Sequence, residues 1–268
     1  MMITYTKPYT DKEIFESLNP IVAKWFKDKF GGFTESQKHA IIPIGDRQNI
    51  LVSSPTGSGK TLCAFTSILN YLINLDEKGE LENKVYAVYI SPLKALSRDI
   101  EINLKEPLAE MEKIAGRKFN IKIAVRTGDT PTKERQKMLK EVPNIIISTP
   151  ETLAIVLTTT KLVEKLQAVE YIIIDEIHAM ANKRGVHLSL SLERLQHISR
   201  IYPCRIGLSA TIAPLEEIAK FLVGYEQENG KFVLRKCIIA DIQFAKKMDI
   251  KVLCPVPDMI ETSAAETQ

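Results

Sequence analysis

From residue 49 to residue 224 the chain alternates short β-branched runs with longer stretches of helical pattern. No other feature restricts the fold as much. Runs at 49–53, 85–90, 121–125, 144–148, 171–174 and 205–208 predict strands, and patterns at 60–75, 94–115 and 132–140 predict helices between several of them. Ile145-Ile146-Ile147 and Ile172-Ile173-Ile174 have no polar face, so strands built from them are covered on both sides. Strand and helix in alternation predict an α/β class with a mainly parallel central sheet and helices on both faces.

Composition agrees and removes other classes. With 45% hydrophobic and 26% charged residues over 268 positions, the chain can bury a large core and is not disordered in bulk. A net charge of +3 is too mild to declare a nucleic-acid binder. There is no apolar run of about 18 residues to span a membrane. The N-terminus lacks the charged-then-apolar build of a signal peptide. Cys63, Cys204, Cys237 and Cys254 lie far apart, which argues against a zinc ribbon and against a disulfide framework. The expectation is a cytoplasmic protein with reduced thiols. Residues 1–30 read as a helical lead-in, 31–245 as the α/β domain, and 246–268 as a final strand and the start of an inter-domain linker.

Directly after the first predicted strand comes Ser54-Pro55-Thr56-Gly57-Ser58-Gly59-Lys60-Thr61. It fits the phosphate-binding pattern Gly-x-x-x-x-Gly-Lys-[Ser/Thr], with Ser54 in place of the first glycine. Gly57 and Gly59 let successive backbone N–H groups turn toward one point, and the following helix adds the positive end of its dipole. Thr56, Gly57, Ser58, Gly59, Lys60 and Thr61 are therefore the candidate nucleotide-binding residues. Lys60 would reach the β- and γ-phosphates of ATP, and the Thr61 hydroxyl would sit on Mg²⁺.

The run Tyr171-Ile172-Ile173-Ile174 ends in Asp175-Glu176-Ile177-His178. Two consecutive carboxylates at a strand end suit metal-assisted phosphoanhydride hydrolysis. Asp175 would hold the hydrated Mg²⁺, and Glu176, pointing the other way, would polarise the attacking water. His178 joins the candidate catalytic set through its two acidic neighbours. No ligand-like spacing links it to His39, His187 or His197, so zinc is not expected.

Together these residues resemble the first RecA-like domain of superfamily 2 helicases with an Asp-Glu-x-His box, and in particular the Lhr (large helicase-related) group. The resemblance covers about residue 33 to the end and implies a RecA-like P-loop NTPase fold. By resemblance, Ser209-Ala210-Thr211 couples nucleotide state to strand movement, and Gln37, after Phe33-Thr34, reads the adenine edge. Pro92-Leu93-Lys94-Ala95-Leu96-Ser97-Arg98-Asp99, Thr127-Gly128-Asp129-Thr130 and Ser148-Thr149-Pro150-Glu151 resemble the motifs that grip a nucleic-acid backbone. Lys94, Arg98, Arg126, Thr127, Gly128 and Thr149 are the contact candidates. Lys183-Arg184-Gly185-Val186-His187-Leu188 looks particularly like the Lhr group. Lys133, Arg135 and Lys137 read as a plain helix surface, the stripe Leu188, Leu192, Leu195 and Ile198 as core, and Trp25, Phe26, Phe30 and Phe33 as a small apolar cluster.

The implied activity is ATP-dependent translocation and unwinding of a single-stranded or partly duplex nucleic acid, leaning toward DNA over RNA and toward repair. The resemblance also implies a second RecA-like domain following in sequence. No Gln-x-x-Gly-Arg-x-Gly-Arg type motif is present here, so the chain alone is expected to bind ATP weakly and turn it over slowly. Two other readings stay open: a P-loop switch protein, although no Asn-Lys-x-Asp guanine reader is present, and a nucleic-acid-binding module without helicase activity.

Overall fold

The computed structural model describes residues 2–92, 96–180, 183–211 and 213–242. Among these residues are strands β1 (Ile3–Tyr5), β2 (Ile50–Ser53), β3 (Ala87–Ile90), β4 (Ile123–Arg126), β5 (Ile145–Ser148), β6 (Tyr171–Ile174), β7 (Cys204–Ser209), β8 (Tyr225–Glu228), β9 (Lys231–Leu234) and β10 (Cys237–Asp241), together with ten α-helices. These are α1 (Asp11–Ser17), α2 (Pro20–Phe30), α3 (Glu35–Gly45), α4 (Lys60–Lys78), α5 (Leu96–Ala115), α6 (Thr132–Lys140), α7 (Pro150–Val156), α8 (Thr160–Leu166), α9 (Lys183–Ile198) and α10 (Leu215–Val223). Eight strands form one sheet in the order β1-β10-β2-β7-β6-β3-β5-β4, and each neighbouring pair is parallel.

The apolar runs are explained by the layers around that sheet. Ile50, Val52, Tyr89, Ile145, Ile147 and Ile173 face a core built with α1 to α5. Their neighbours in sequence, Leu51, Val88, Ile90, Ile146, Ile172 and Ile174, face a second core built with α7 to α10. Side chains alternate across a strand, so only a sheet covered on both faces makes consecutive residues equally apolar. Leu188, Leu192 and Leu195 are fully buried in the second core and Ile198 packs against it, as the stripe predicts.

Three elements were not legible as expected. The lead-in is helical, but it also supplies β1, which pairs with β10 at the sheet edge. A three-residue strand is too short to show a period. A two-stranded antiparallel hairpin, β8–β9, stands apart from the main sheet. Its turn is Asn229-Gly230, both with positive φ (50° and 77°), and this pair was the signal for it. The last strand described, β10, falls at Cys237–Asp241, inserted beside β2, whereas the final strand expected at 246–268 lies outside the described residues.

Parallel pairing puts every strand's C-terminal end on one edge, where ligands gather in open α/β sheets. The order places the ends of β2, β7 and β6 side by side, then those of β3, β5 and β4. The phosphate loop, the acidic pair and Ser209 therefore share one half of that edge, and the loops after β3, β5 and β4 share the other.

Candidate nucleotide site and nucleic-acid interface

Gly57 and Gly59 both adopt left-handed backbone, with φ of 76° and 86°. Gly59 is the N-cap of α4, and a side chain there would meet the Gln37 amide nitrogen at 2.7 Å. Ser54 is not among the positive-φ residues, so the first position of this loop needs no glycine. Its hydroxyl instead braces the loop, bonding Ser36 Oγ at 3.0 Å and Ser58 Oγ at 2.6 Å. Lys60 is 7% exposed and donates to the carbonyl oxygens of Ser54 (2.6 Å) and Pro55 (2.9 Å). Burial lowers its pKa, while Glu176 and Asp175 act in the opposite sense.

Asp175 is 7% exposed at the end of β6. It accepts a hydrogen bond from Tyr89 Oη, and its other oxygen accepts from the Glu176 N–H at 3.0 Å. The Thr61 side chain lies beside the same Tyr89 phenol, so this buried ring stands between the loop threonine and the acidic strand end. Sequence reasoning missed Tyr89, because an aromatic inside an apolar run reads as core. Glu176 adopts a left-handed conformation, φ 49°, which is costly for a residue with a Cβ and is typical of functional sites. Its Oε2 lies 3.1 Å from His178 Nε2. His178 Nδ1 accepts from the Ala210 N–H at 3.3 Å and lies 3.4 Å from Ser209 Oγ. An accepting Nδ1 leaves the proton of the neutral ring on Nε2, facing Glu176. Glu176, His178 and Ser209-Ala210 thus form one connected chain, with Thr211 exposed beyond it.

The loop opens on a cleft of about 490 Å³ lined by Thr56, Gly57, Gly59, Lys60, Thr61, Asp175 and Glu176, with Trp25 and Phe30 along one wall. Trp25, Phe26, Phe30 and Phe33 do cluster, the Phe26 and Phe33 rings stacking at 4.4 Å. Gln37 is placed differently from the expectation of an open base reader. It is 3% exposed, and its Oε1 already accepts from the Thr34 N–H at 2.8 Å in a capping box that starts α3. Thr34 Oγ1 in turn donates to Ser58 O at 2.8 Å, so this pair buttresses the phosphate loop.

On the other half of the edge, Thr127 and Thr149 are buried and Gly128 is exposed. Thr149 caps α7, its side chain accepting from the Thr152 N–H at 3.3 Å. Lys94 lies outside the described residues, as does the Arg98 side chain. Arg126 is half-buried at the end of β4, and burial lowers its pKa. Arg135 corrects the reading of a plain helix surface. Its guanidinium donates to Thr130 O (2.6 Å) and Gly128 O (2.7 Å), pinning the loop that precedes its own helix, while Lys133 and Lys137 are exposed as expected.

The sequence profile of the DEAD/DEAH box helicase family matches residues 34–220. The chain belongs to this family. It is 54% identical over 262 residues to the ATP-dependent helicase Lhr-Core of Methanothermobacter thermautotrophicus, covering 96% of this chain and 30% of that protein. It is 51% identical over 264 residues to the ATP-dependent helicase Lhr-Core protein 2 of Thermococcus barophilus, with 97% and 30% covered. Its fold matches the Mycobacterium smegmatis helicase Lhr bound to ssDNA and AMP-PNP with a TM-score of 0.79 at 38% identity, over 93% of this chain and 31% of that one. The likeness to the Lhr group and the RecA-like fold are therefore both established. The chain spans about 30% of the length of these two curated relatives.

Proposed function

We propose that this chain is the ATP-binding motor domain of an ATP-dependent, Lhr-type nucleic-acid helicase, and the first half of a two-domain motor. One observation carries this reading. The adjacent ends of β2, β7 and β6 bring a glycine-rich loop, two carboxylates and a histidine together, on the same sheet edge as the loops after β4 and β5.

In this reading Thr56, Gly57, Ser58 and Gly59 cradle the phosphates, and Lys60 exchanges its two carbonyl partners for phosphate oxygens. Thr61 and Asp175 are hard oxygen donors that both approach the Tyr89 phenol and line one cleft, which suits Mg²⁺ held by few protein ligands. When bound, that ion neutralises charge developing on the transferred phosphoryl group. Glu176 orients the attacking water and accepts its proton. His178 relays the state of Glu176 to Ser209, Ala210 and Thr211 through its contacts with both ends. For Gln37 the adenine role falls to the amide nitrogen, since the oxygen is held by Thr34.

Lys94, Arg98, Arg126, Thr127, Gly128 and Thr149 contact the backbone of a nucleic acid. Contacts of that kind do not read bases and weaken with salt. DNA is favoured over RNA because the M. smegmatis Lhr helicase was captured with ssDNA. The second RecA-like domain supplies an arginine finger, worth about 10³–10⁵ in turnover.

Phosphate release from ATP by the 268-residue chain, with and without single-stranded DNA and beside Lys60→Ala, tests the proposal. We expect ATP binding that depends on Lys60 and near-zero turnover. Fast, DNA-stimulated turnover that vanishes in Lys60→Ala would mean that the chain completes its own site. Strand binding indifferent to ATP, with no ATP binding at all, would instead identify a non-motor nucleic-acid module.

A further inference from the structure

The segment Lys183-Arg184-Gly185 resembles the Lhr group, yet it takes no part in the nucleotide site described above. Its geometry is nevertheless unusual. Gly185 is buried, and a Cβ there would lie 1.7 Å from Met180 O and 2.8 Å from the Met180 carbonyl carbon. The start of α9 is therefore in backbone contact with the 3₁₀ turn Ile177–Met180, which directly follows Asp175 and Glu176 and contains His178. Arg184, exposed beside Gly185, spreads its guanidinium over two other segments. Nε donates to Glu151 Oε1 at 2.7 Å and Nη2 to Pro92 O at 3.0 Å. Pro92 lies two residues past the end of β3, and Glu151 follows Thr149 and Pro150 at the start of α7.

We propose that Arg184 is a positioning residue that couples the nucleotide-bearing end of β6 to the strand-contact loops after β3 and β5. This rests on the functional reading above, because it concerns how that site communicates with those loops. The argument is mechanical. Interior packing yields little, so a change at Glu176 or His178 that moves the 3₁₀ turn must carry the start of α9 with it. A guanidinium is a planar fork of donors, and here it holds a carbonyl and a carboxylate at a fixed separation. A shift at Arg184 therefore reaches both loops at once. Glu151 sits in the first turn of α7, beside the Thr149 cap, so its displacement alters the α7 start. The side chains of Arg184 and Glu151 are 44% and 51% exposed, and an ion pair so open to water adds little to folding. Its removal should leave the fold intact and expose the coupling alone.

The test measures binding of a fluorescein-labelled single-stranded oligo-dT to this chain by anisotropy, with and without saturating Mg²⁺-AMP-PNP. The wild-type chain is expected to bind the strand about fivefold or more differently in the two conditions, the lower range of ordinary site-to-site coupling. Arg184→Ala should bring that ratio close to one, while Tm, AMP-PNP affinity and nucleotide-free strand affinity stay at wild-type values, and Glu151→Gln should bring the ratio close to one as well. The double variant should lose nothing further, and Arg184→Lys, which keeps the charge but not the fork, should restore only part of the ratio. A ratio that survives in Arg184→Ala, or a wild-type ratio of one, overturns the inference. A wild-type chain that binds neither AMP-PNP nor the oligonucleotide overturns the functional reading instead. A fall in Tm of Arg184→Ala together with loss of both affinities would mark a structural role and reject the coupling.

Discussion

Burial raises the pKa of Asp175 above the ordinary carboxylate value; the Tyr89 hydrogen bond opposes this, and the neighbouring Glu176 charge adds to it. An unfolded aspartate titrates at about 3.9. With a raised folded pKa the native state holds its proton more tightly than the unfolded chain does, so ionising Asp175 costs stability. That cost is complete above the folded pKa and absent below the unfolded one. Asp175→Asn removes the charge and keeps one oxygen to accept from Tyr89, but loses the acceptor for the Glu176 N–H. That loss is the same at every pH, so the charge is read in the pH dependence. In the absence of ligands, the Tm of the variant relative to the wild type should be higher at neutral pH than near about pH 4. Calorimetric melts across that range, with a difference that does not change with pH as the contrary result, check the point.

Gly185 sets the relation between α9 and the turn after β6, and its replacement is an experiment on elements rather than on chemistry. A methyl group 1.7 Å from Met180 O has nowhere to go, because Ile177 and Met180 are themselves buried. Gly185→Ala should cost about 3 kcal/mol, the upper range for overpacking, read as a lower urea midpoint at unchanged slope. An unchanged midpoint would mean that α9 can slide on the turn. Arg135 acts at the same scale: it pins Gly128 and Thr130 from the helix that follows them. Neither contact was legible beforehand. The helical pattern of 132–140 places Arg135 on a helix, but which side of that helix meets the preceding loop depends on the path of the chain between them.

Across the whole molecule, one ion cluster joins parts that are distant in sequence. Arg205, 1% exposed on β7, donates to Glu193 Oε1 at 2.9 Å and to the carbonyls of Leu222 (3.2 Å) and Val223 (3.0 Å). Arg235, just after the β8–β9 hairpin, grips both oxygens of the same Glu193 at 2.7 and 2.8 Å. One carboxylate thus fastens α9, the end of α10, β7 and the hairpin. Glu193→Ala should destabilise the chain by roughly 2–3 kcal/mol, below the value for a fully buried pair because Glu193 retains contact with water. Chemical denaturation checks this, and a loss near zero would show that the helix C-terminal carbonyls alone suffice for Arg205.

The apolar runs, the glycines after β2 and the carboxylates after Ile174 were sufficient in sequence to determine a doubly covered parallel sheet and to point to a candidate nucleotide site, because periodicity, backbone freedom and adjacent charges are local properties. The sheet order was not local. Only the packed structure set β7 between β2 and β6, and so brought Ser209 to His178 and divided the strand ends into two groups. It alone placed Tyr89 against Asp175, Gln37 behind Gly59 and Arg184 across two loops. Each of those contacts joins segments whose separation along the chain carries no information about their distance, and that distance is fixed by how the layers pack.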